Sequence, residues 1–198
     1  MRTIRRHVDA RAAEEPDAVY LIAPETGAVM TYGLLQRACR ELAQFLAARG
    51  LRRGDKVALM LHNGYQTARL FIGVMYAGCT VAPLNLLAQR TQLAYVLEHS
   101  DARLVFTNAE LEPRVREALA CVQHPVEVVV IDPDAIDIFG DGSAHEAPLL
   151  DIAEDDDALL MYTSGTTGVP KGVLHTQRSV AAGGEFTSAA HRLAREDR

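Results

Sequence analysis

The sequence predicts an α/β fold, with alternating strand and helix layers and a mostly parallel sheet. Three observations carry that reading. Short apolar runs at residues 56–61, 102–107 and 126–131 have the length of strands. The first of them is continuous, as in strands buried on both faces of a parallel sheet. Between the runs lie longer segments with apolar residues at helical spacing. Glycine, aspartate, asparagine and proline punctuate the boundaries. Strands alternating with helices of this length form βαβ units and place helices on both faces of the sheet.

Taken in order, residues 4–13 read as a short helix that stops before Glu14-Glu15-Pro16. Residues 18–23 are strand-like, Thr26-Gly27 turns the chain, and residues 29–32 return as the second arm of a small hairpin. Thr31 is placed to cap the next helix. Along it Leu34, Leu35, Ala38, Leu42, Phe45, Leu46 and Arg49 recur at helical spacing. Gly50 suits the left-handed position after a helix end. Gly54-Asp55 turns into the strand at 56–61. His62-Asn63-Gly64 then leads into a helix, with Asn63 and Gln66 spaced as a capping box that has Asn in place of Ser or Thr. Leu70, Phe71, Val74 and Met75 mark its buried side, and Gly78 ends it.

Residues 79–83 read as a strand, 91–99 as a helix with Leu93, Val96 and Leu97 on one face, 102–107 as a strand, 111–120 as a helix and 126–131 as a strand. Residues 132–147 are irregular. Residues 172–176 are short and extended. Residues 177–198 read as helical, with Gly183-Gly184 as a break, because each glycine costs up to ~1 kcal/mol relative to alanine. The organisation expected is an α/β subdomain over 1–131, a connecting segment over 132–157, and the start of a second α/β subdomain over 158–198.

A chain of 198 residues can bury about 70% of its unfolded surface. Hydrophobic content of 48% and charged content of 23% are those of an ordinary globular protein. The net charge of −6 and the absence of a Lys/Arg block exclude a nucleic-acid-binding surface. Cys39, Cys79 and Cys121 form no C-x-x-C pair and sit in apolar settings, which reads as buried free thiols in a reducing compartment. The basic start at residues 1–6 is followed by no apolar stretch, so it is not a signal peptide. No apolar run reaches the ~18 residues of a membrane span. These features point to the cytoplasm. Glu154-Asp155-Asp156-Asp157 lacks the alternating spacing of a calcium loop and reads as a solvated linker.

The unusual chemistry lies in residues 159–173. An apolar strand-like run passes into Thr163-Ser164-Gly165-Thr166-Thr167-Gly168, and the stretch closes on Lys171. The glycines allow close approach to the main chain. Consecutive backbone N–H groups form an anion-binding nest. Ser164, Thr166 and Thr167 add hydroxyls, and Lys171 adds a mobile positive charge suited to phosphate. With no carboxylate present, the loop is built to hold an anion, and polyphosphate is the obvious candidate. Neither G-x-x-x-x-G-K-[ST] nor G-x-G-x-x-G is present, so this is another phosphate-binding solution and not a Walker-type kinase or ATPase.

Tyr162-Thr163-Ser164-Gly165-Thr166-Thr167-Gly168-Val169-Pro170-Lys171-Gly172-Val173 resembles the signature loop of the adenylate-forming (AMP-binding) superfamily, which includes acyl-CoA synthetases, peptide-synthetase adenylation domains and luciferases. Weaker segments follow in the same order. Thr31-Tyr32-Gly33-Leu34-Leu35 resembles the family's early helix start. Gly54-Asp55-Lys56-Val57-Ala58 resembles its "GD-x-VA" strand. Ala77-Gly78 through Pro83-Leu84-Asn85 resembles "AG-x-x-x-x-PLN", and residues 93–102 resemble the helix after it.

The resemblance implies the N-terminal part of the large domain of an adenylate-forming ligase of acyl-CoA synthetase type. It implies that Thr163, Ser164, Gly165, Thr166, Thr167, Gly168 and Lys171 clasp the β- and γ-phosphates of ATP. Lys171 and Thr166 would then be catalytic, Lys171 stabilising departing pyrophosphate, and Thr167 would reach Mg2+. A carboxylic acid substrate would attack the α-phosphate, and CoA would take the acyl group from the acyl-adenylate. Charge-assisted hydrogen bonds of ~1.5–3 kcal/mol each would strengthen the clasp as charge builds on pyrophosphate.

Two departures from the family pattern stand out. Gln177 occupies the position where many members have histidine. It can donate and accept but cannot become cationic, and His175 lies two residues earlier, either as its substitute or in a structural role. The second is length: family members continue into an adenine- and ribose-binding region, a hinge and a lid domain, so the chain reads as an N-terminal fragment. The alternative is a non-catalytic remnant that binds phosphate weakly or serves as an interaction module. An incomplete sheet leaves apolar surface and strand edges uncovered, which predicts self-association.

Overall fold

The computed structural model of the chain describes residues 2–139, 149–163 and 169–194. Helix α1 (Ile4–Glu14) starts at Thr3, whose hydroxyl accepts from Arg6 N. Strands β1 (Val19–Ala23) and β2 (Ala28–Thr31) form a separate antiparallel hairpin. Thr31 then caps α2 (Tyr32–Ala48) by accepting from Leu34 N at 3.3 Å. After it come β3 (Lys56–Met60), α3 (Tyr65–Ala77), β4 (Thr80–Pro83), α4 (Arg90–His99), β5 (Ala102–Thr107), α5 (Glu112–Leu119) and β6 (Glu127–Val130). The chain continues through β7 (Asp157–Thr163), β8 (Lys171–Thr176) and α6 (Gln177–Ala190).

Six strands form one sheet in the order β6-β5-β3-β4-β7-β8. All neighbours pair in parallel except β7 and β8, which form an antiparallel hairpin at one edge. This is the α/β fold with a mostly parallel sheet that the sequence predicts. The alternation of side chains along β3 explains the two layers. Val57 and Leu59 face a core shared with α1, α2 and α3, whereas Ala58 and Met60 face one shared with α4 and α5. Each large apolar side chain buried this way contributes about 1.5–3 kcal/mol. No described helix is long and apolar enough to cross a membrane.

Four local expectations are corrected. Asn63 and Gln66 form no capping box: Gly64 precedes α3 without a side-chain cap. Gln66 is instead fully buried, and its Nε2 donates to Ala135 O and Ile136 O, because the chain leaving β6 crosses the start of α3. Gly183-Gly184 does not break α6, which runs through both glycines from a start where Thr176 accepts from Ser179 N.

Cys39 and Cys79 are buried, but Cys121 is exposed on the turn after α5. The acidic run is a turn tied into the fold rather than a solvated linker. Asp155 pairs with Arg178, Asp156 Oδ2 accepts from Ala153 N at 2.8 Å, and Asp157 already belongs to β7. Residues 132–139 carry no helix or strand, as expected, yet they are not loose: Phe139 packs on Phe45 with ring centroids 4.6 Å apart.

Candidate functional site

Strands β7 and β8 flank the segment that the sequence marks as a phosphate-binding candidate. Their register pairs Thr163, the last residue of β7, with Lys171, the first residue of β8. Ser164, Gly165, Thr166, Thr167 and Gly168 lie outside the described residues. Of the predicted site residues, the structure therefore places Thr163 and Lys171, and it places them face to face. Both are exposed. Lys171 has no ion-pair partner among the described residues, so its ammonium is available to a ligand. Gly172 supports this geometry. A Cβ there would lie 3.2 Å from Leu160 Cδ1 and 3.5 Å from the Tyr162 ring, so glycine lets β8 lie close to β7 just behind the lysine.

Tyr162 is anchored immediately before Thr163. Its hydroxyl hydrogen-bonds His99 Nδ1 at 2.9 Å, and the two rings meet edge to face at 5.8 Å. His99 stacks in turn on Tyr95, 5.3 Å away. Burial, with Tyr95 and Asp101 nearby, pushes the Tyr162 phenol up to about 12, so it stays protonated at neutral pH. This support for the hairpin joins residues 63 positions apart. Neither side chain has a sequence signal that links them.

Beside the hairpin lies a cavity of about 130 Å3. It is lined by Asn85, Gln92, Leu93, Val96, Tyr162 and Thr163, among others. Asn85 belongs to the Pro83-Leu84-Asn85 segment at the end of β4, the strand that pairs with β7. A larger open cleft of about 960 Å3 follows α1 and β1, and none of its lining residues belongs to β7 or β8.

Gln177 and His175 do not join the site. His175 pairs in register with Leu159, four residues along β8 from Lys171. Gln177 is buried at the start of α6, where its amide accepts from Ile4 N at 3.0 Å and donates to Met75 O at 2.9 Å. Gln177 is thus a structural clip that uses both hydrogen-bonding ends of its amide.

The profile of the AMP-binding enzyme family matches residues 8–198. The chain is 46% identical to a sulfoacetate–CoA ligase of Cupriavidus necator, over 99% of this chain and 39% of that protein. It is 31% identical to the long-chain-fatty-acid–CoA ligase FadD13 of Mycobacterium tuberculosis, over 91% of this chain and 36% of that protein. The structure superposes on the N-terminal domain of FACL13 from Mycobacterium tuberculosis with a TM-score of 0.79 at 30% identity, covering 95% of this chain and 48% of that one. The chain thus spans about two fifths of the length of the curated relatives it matches.

Proposed function

Because the chain belongs to the AMP-binding enzyme family, we propose that it supplies the phosphate clasp of an ATP-dependent acid–thiol ligase. In the first step a carboxylate oxygen attacks the α-phosphorus of ATP. An acyl-adenylate forms and pyrophosphate leaves. In the second step the CoA thiol attacks the acyl carbon, giving the thioester and AMP. The observation that carries this reading is the pairing of Thr163 with Lys171 on either side of the Ser/Thr/Gly-rich sequence 164–168. An ammonium with no ion-pair partner among the described residues, in register with a hydroxyl-bearing residue, suits the charge that accumulates on departing pyrophosphate.

Mg2+ enters this reading with ATP. The described residues that flank the turn are Tyr162, Thr163, Val169, Pro170 and Lys171, and they include no carboxylate. A Mg2+ ion commonly takes part of its coordination from substrate phosphates. Thr167 would add a hydroxyl to that set, and Ser164 and Thr166 would donate to phosphate oxygens. CoA is the acyl acceptor by the names of the relatives. The relative at 46% identity carries the name of a ligase for sulfoacetate, a small acid with a second anionic group. We take a small, polar carboxylic acid as the substrate class.

Pyrophosphate exchange and hydroxamate trapping across a panel of acids test the proposal, on the 198-residue chain and on any longer reading frame that contains it. Acid-dependent exchange that depends on Lys171 supports the ligase reading. No exchange with any acid in either form overturns it and favours a phosphate-binding or interaction module.

A further inference from the structure

One side chain from the end of α4 reaches the strand that leads to the candidate clasp. His99 is the last residue of α4, and its Nδ1 shares a hydrogen bond with the Tyr162 hydroxyl at 2.9 Å. The two rings meet edge to face, with an interplanar angle of 82°. Tyr95, four residues earlier on α4, stacks on the same imidazole with its plane tilted by 29°, as side chains at i and i+4 of a helix can. The imidazole is thus oriented by its own helix. The Tyr162 phenol keeps its proton at neutral pH, so it can donate to a bare Nδ1 or accept from a protonated one.

The end of β7 has little else to hold it. β7 is in register with β4 at Leu159 alone, opposite Val81. Among the described residues, the stretch from Leu160 to Thr163 therefore has only β8 as a ladder partner, and β8 is the edge strand. Lys171, Gly172, Val173 and Leu174 are all exposed. A paired end supported from one side is the part of a sheet that opens most readily. Tyr162 sits at the critical place. It precedes Thr163 and pairs in register with Gly172, which follows Lys171. Its ring covers Gly172, where a Cβ would lie 3.5 Å from Tyr162 Cε1 and Cζ. The phenol that His99 holds thus touches both strands next to the Thr163–Lys171 pair.

We propose that His99 is a positioning residue for the phosphate clasp. Acting through the Tyr162 hydroxyl, it holds the ends of β7 and β8 so that Thr163 and Lys171 meet pyrophosphate already in register. It touches no phosphate itself. Its effect is on affinity, because groups that must be ordered when the ligand arrives bind it more weakly than groups fixed beforehand. This inference rests on the clasp reading for its ligand and on the His99–Tyr162 contact for its location.

The test uses the 198-residue chain with two readouts, pyrophosphate affinity by calorimetry and amide hydrogen exchange by NMR at residues 161–163 and 171–173. His99 is exposed, so His99→Phe leaves both cores intact and keeps a ring to stack on Tyr95. His99→Phe and Tyr162→Phe should each speed exchange at those amides and weaken pyrophosphate binding roughly 5-fold, the size of one neutral hydrogen bond. The double variant should lose no more than either single variant, because both remove the same bond. His99→Asn, whose amide can donate or accept near the place of Nδ1, should recover most of the affinity and the slow exchange. A purely structural contact would lower the thermal midpoint and leave affinity unchanged. That result overturns the proposal, as do unchanged exchange in His99→Phe and additive losses in the double variant. A parent chain that does not bind pyrophosphate overturns the clasp and the positioning role with it. A parent that binds, with His99→Phe binding equally well, overturns the positioning role alone.

Discussion

The side-chain oxygen of Gln177 accepts a hydrogen bond from the backbone N–H of Ile4 at 3.0 Å, across 173 residues of sequence. Ile4 opens α1, and its N–H is one of the donors that a helix cannot satisfy internally. The other end of the same amide donates to Met75 O near the end of α3. One buried side chain thus ties α1, α3 and α6 together. Removing it leaves a buried donor and acceptor unmet, at about 1–3 kcal/mol for each such group. Gln177→Ala should therefore lower stability by roughly 2 kcal/mol or more, read as a lower midpoint in urea unfolding.

Gln177→His gives a sharper result. A neutral imidazole can accept from Ile4 N and donate to Met75 O, whereas a protonated one can only donate. Burial without an acceptor for the second proton depresses the folded-state pKa of that histidine. Its contribution is then present above the unfolded value of roughly 6.5 and is lost as pH falls below it. Unfolding midpoints measured from pH 8 to pH 5 should decline more steeply for the variant than for the parent.

Gly78 and Gly50 both follow helices with positive φ, at +89° and +72°. Their surroundings differ. A Cβ on Gly78 would sit 2.7 Å from Ile152 Cγ2, whereas one on Gly50 meets nothing within 4 Å. Gly50→Ala should cost about 1–2 kcal/mol, the strain of a left-handed residue. Gly78→Ala adds a steric clash, and overpacking costs a further ~1–3 kcal/mol. Thermal unfolding of the two variants side by side should show the larger loss at Gly78.

The three cysteines should separate by reactivity. Burial pushes the Cys39 and Cys79 thiols up to about 12 each, while Cys121 is exposed. Alkylation of the folded chain near pH 8 should modify Cys121 first, as peptide mass mapping would show. Fast labelling of Cys39 or Cys79 in the folded chain would contradict their burial. The raised values also predict alkaline instability. Unfolded thiols ionise near ~8.5, so the unfolded state releases protons that the folded state keeps. Stability is full below that value and falls as pH rises through the folded values.

The edge strand β8 exposes Val173 and Leu174, and Met161 lies exposed on β7 beside it. Contiguous apolar surface at a sheet edge favours association. The chain should show concentration-dependent self-association by sedimentation velocity, weakened in Val173→Lys. Equal sedimentation at all concentrations would rule the association out, and an unchanged concentration dependence in Val173→Lys would place it elsewhere.

Much of this fold is legible in the sequence, for reasons that are local. The continuous run at residues 56–61 announces a strand buried on both faces, and Val57 and Ala58 do face opposite cores. Thr31 caps its helix, and Gly50 and Gly78 take the left-handed conformation. Each of these features depends on a few neighbouring residues. What was not legible depends on sheet order. Gln66 reads as a cap but reaches Ala135 and Ile136, and Gln177 reads as a departure from a family pattern but holds Ile4. The contact between His99 and Tyr162 follows from the pairing of β4 with β7, which helical or strand periodicity does not encode. At the candidate site, the sequence singles out Thr163 and Lys171, while their pairing in register emerges only from the β7–β8 hairpin.

The central claim is that Lys171 and the turn it closes clasp phosphate. Lys171 is exposed, faces Thr163 and holds no ion pair among the described residues, so it has little structural work to do. An exposed substitution of this kind shifts stability by no more than about 0.5 kcal/mol. The direct measurement is calorimetric titration of the parent chain and Lys171→Ala with pyrophosphate and with MgATP, alongside their thermal midpoints. The account predicts at least a 10-fold loss of affinity, about 1.4 kcal/mol, with a nearly unchanged midpoint. Unchanged affinity, or a large drop in midpoint with binding intact, would contradict it.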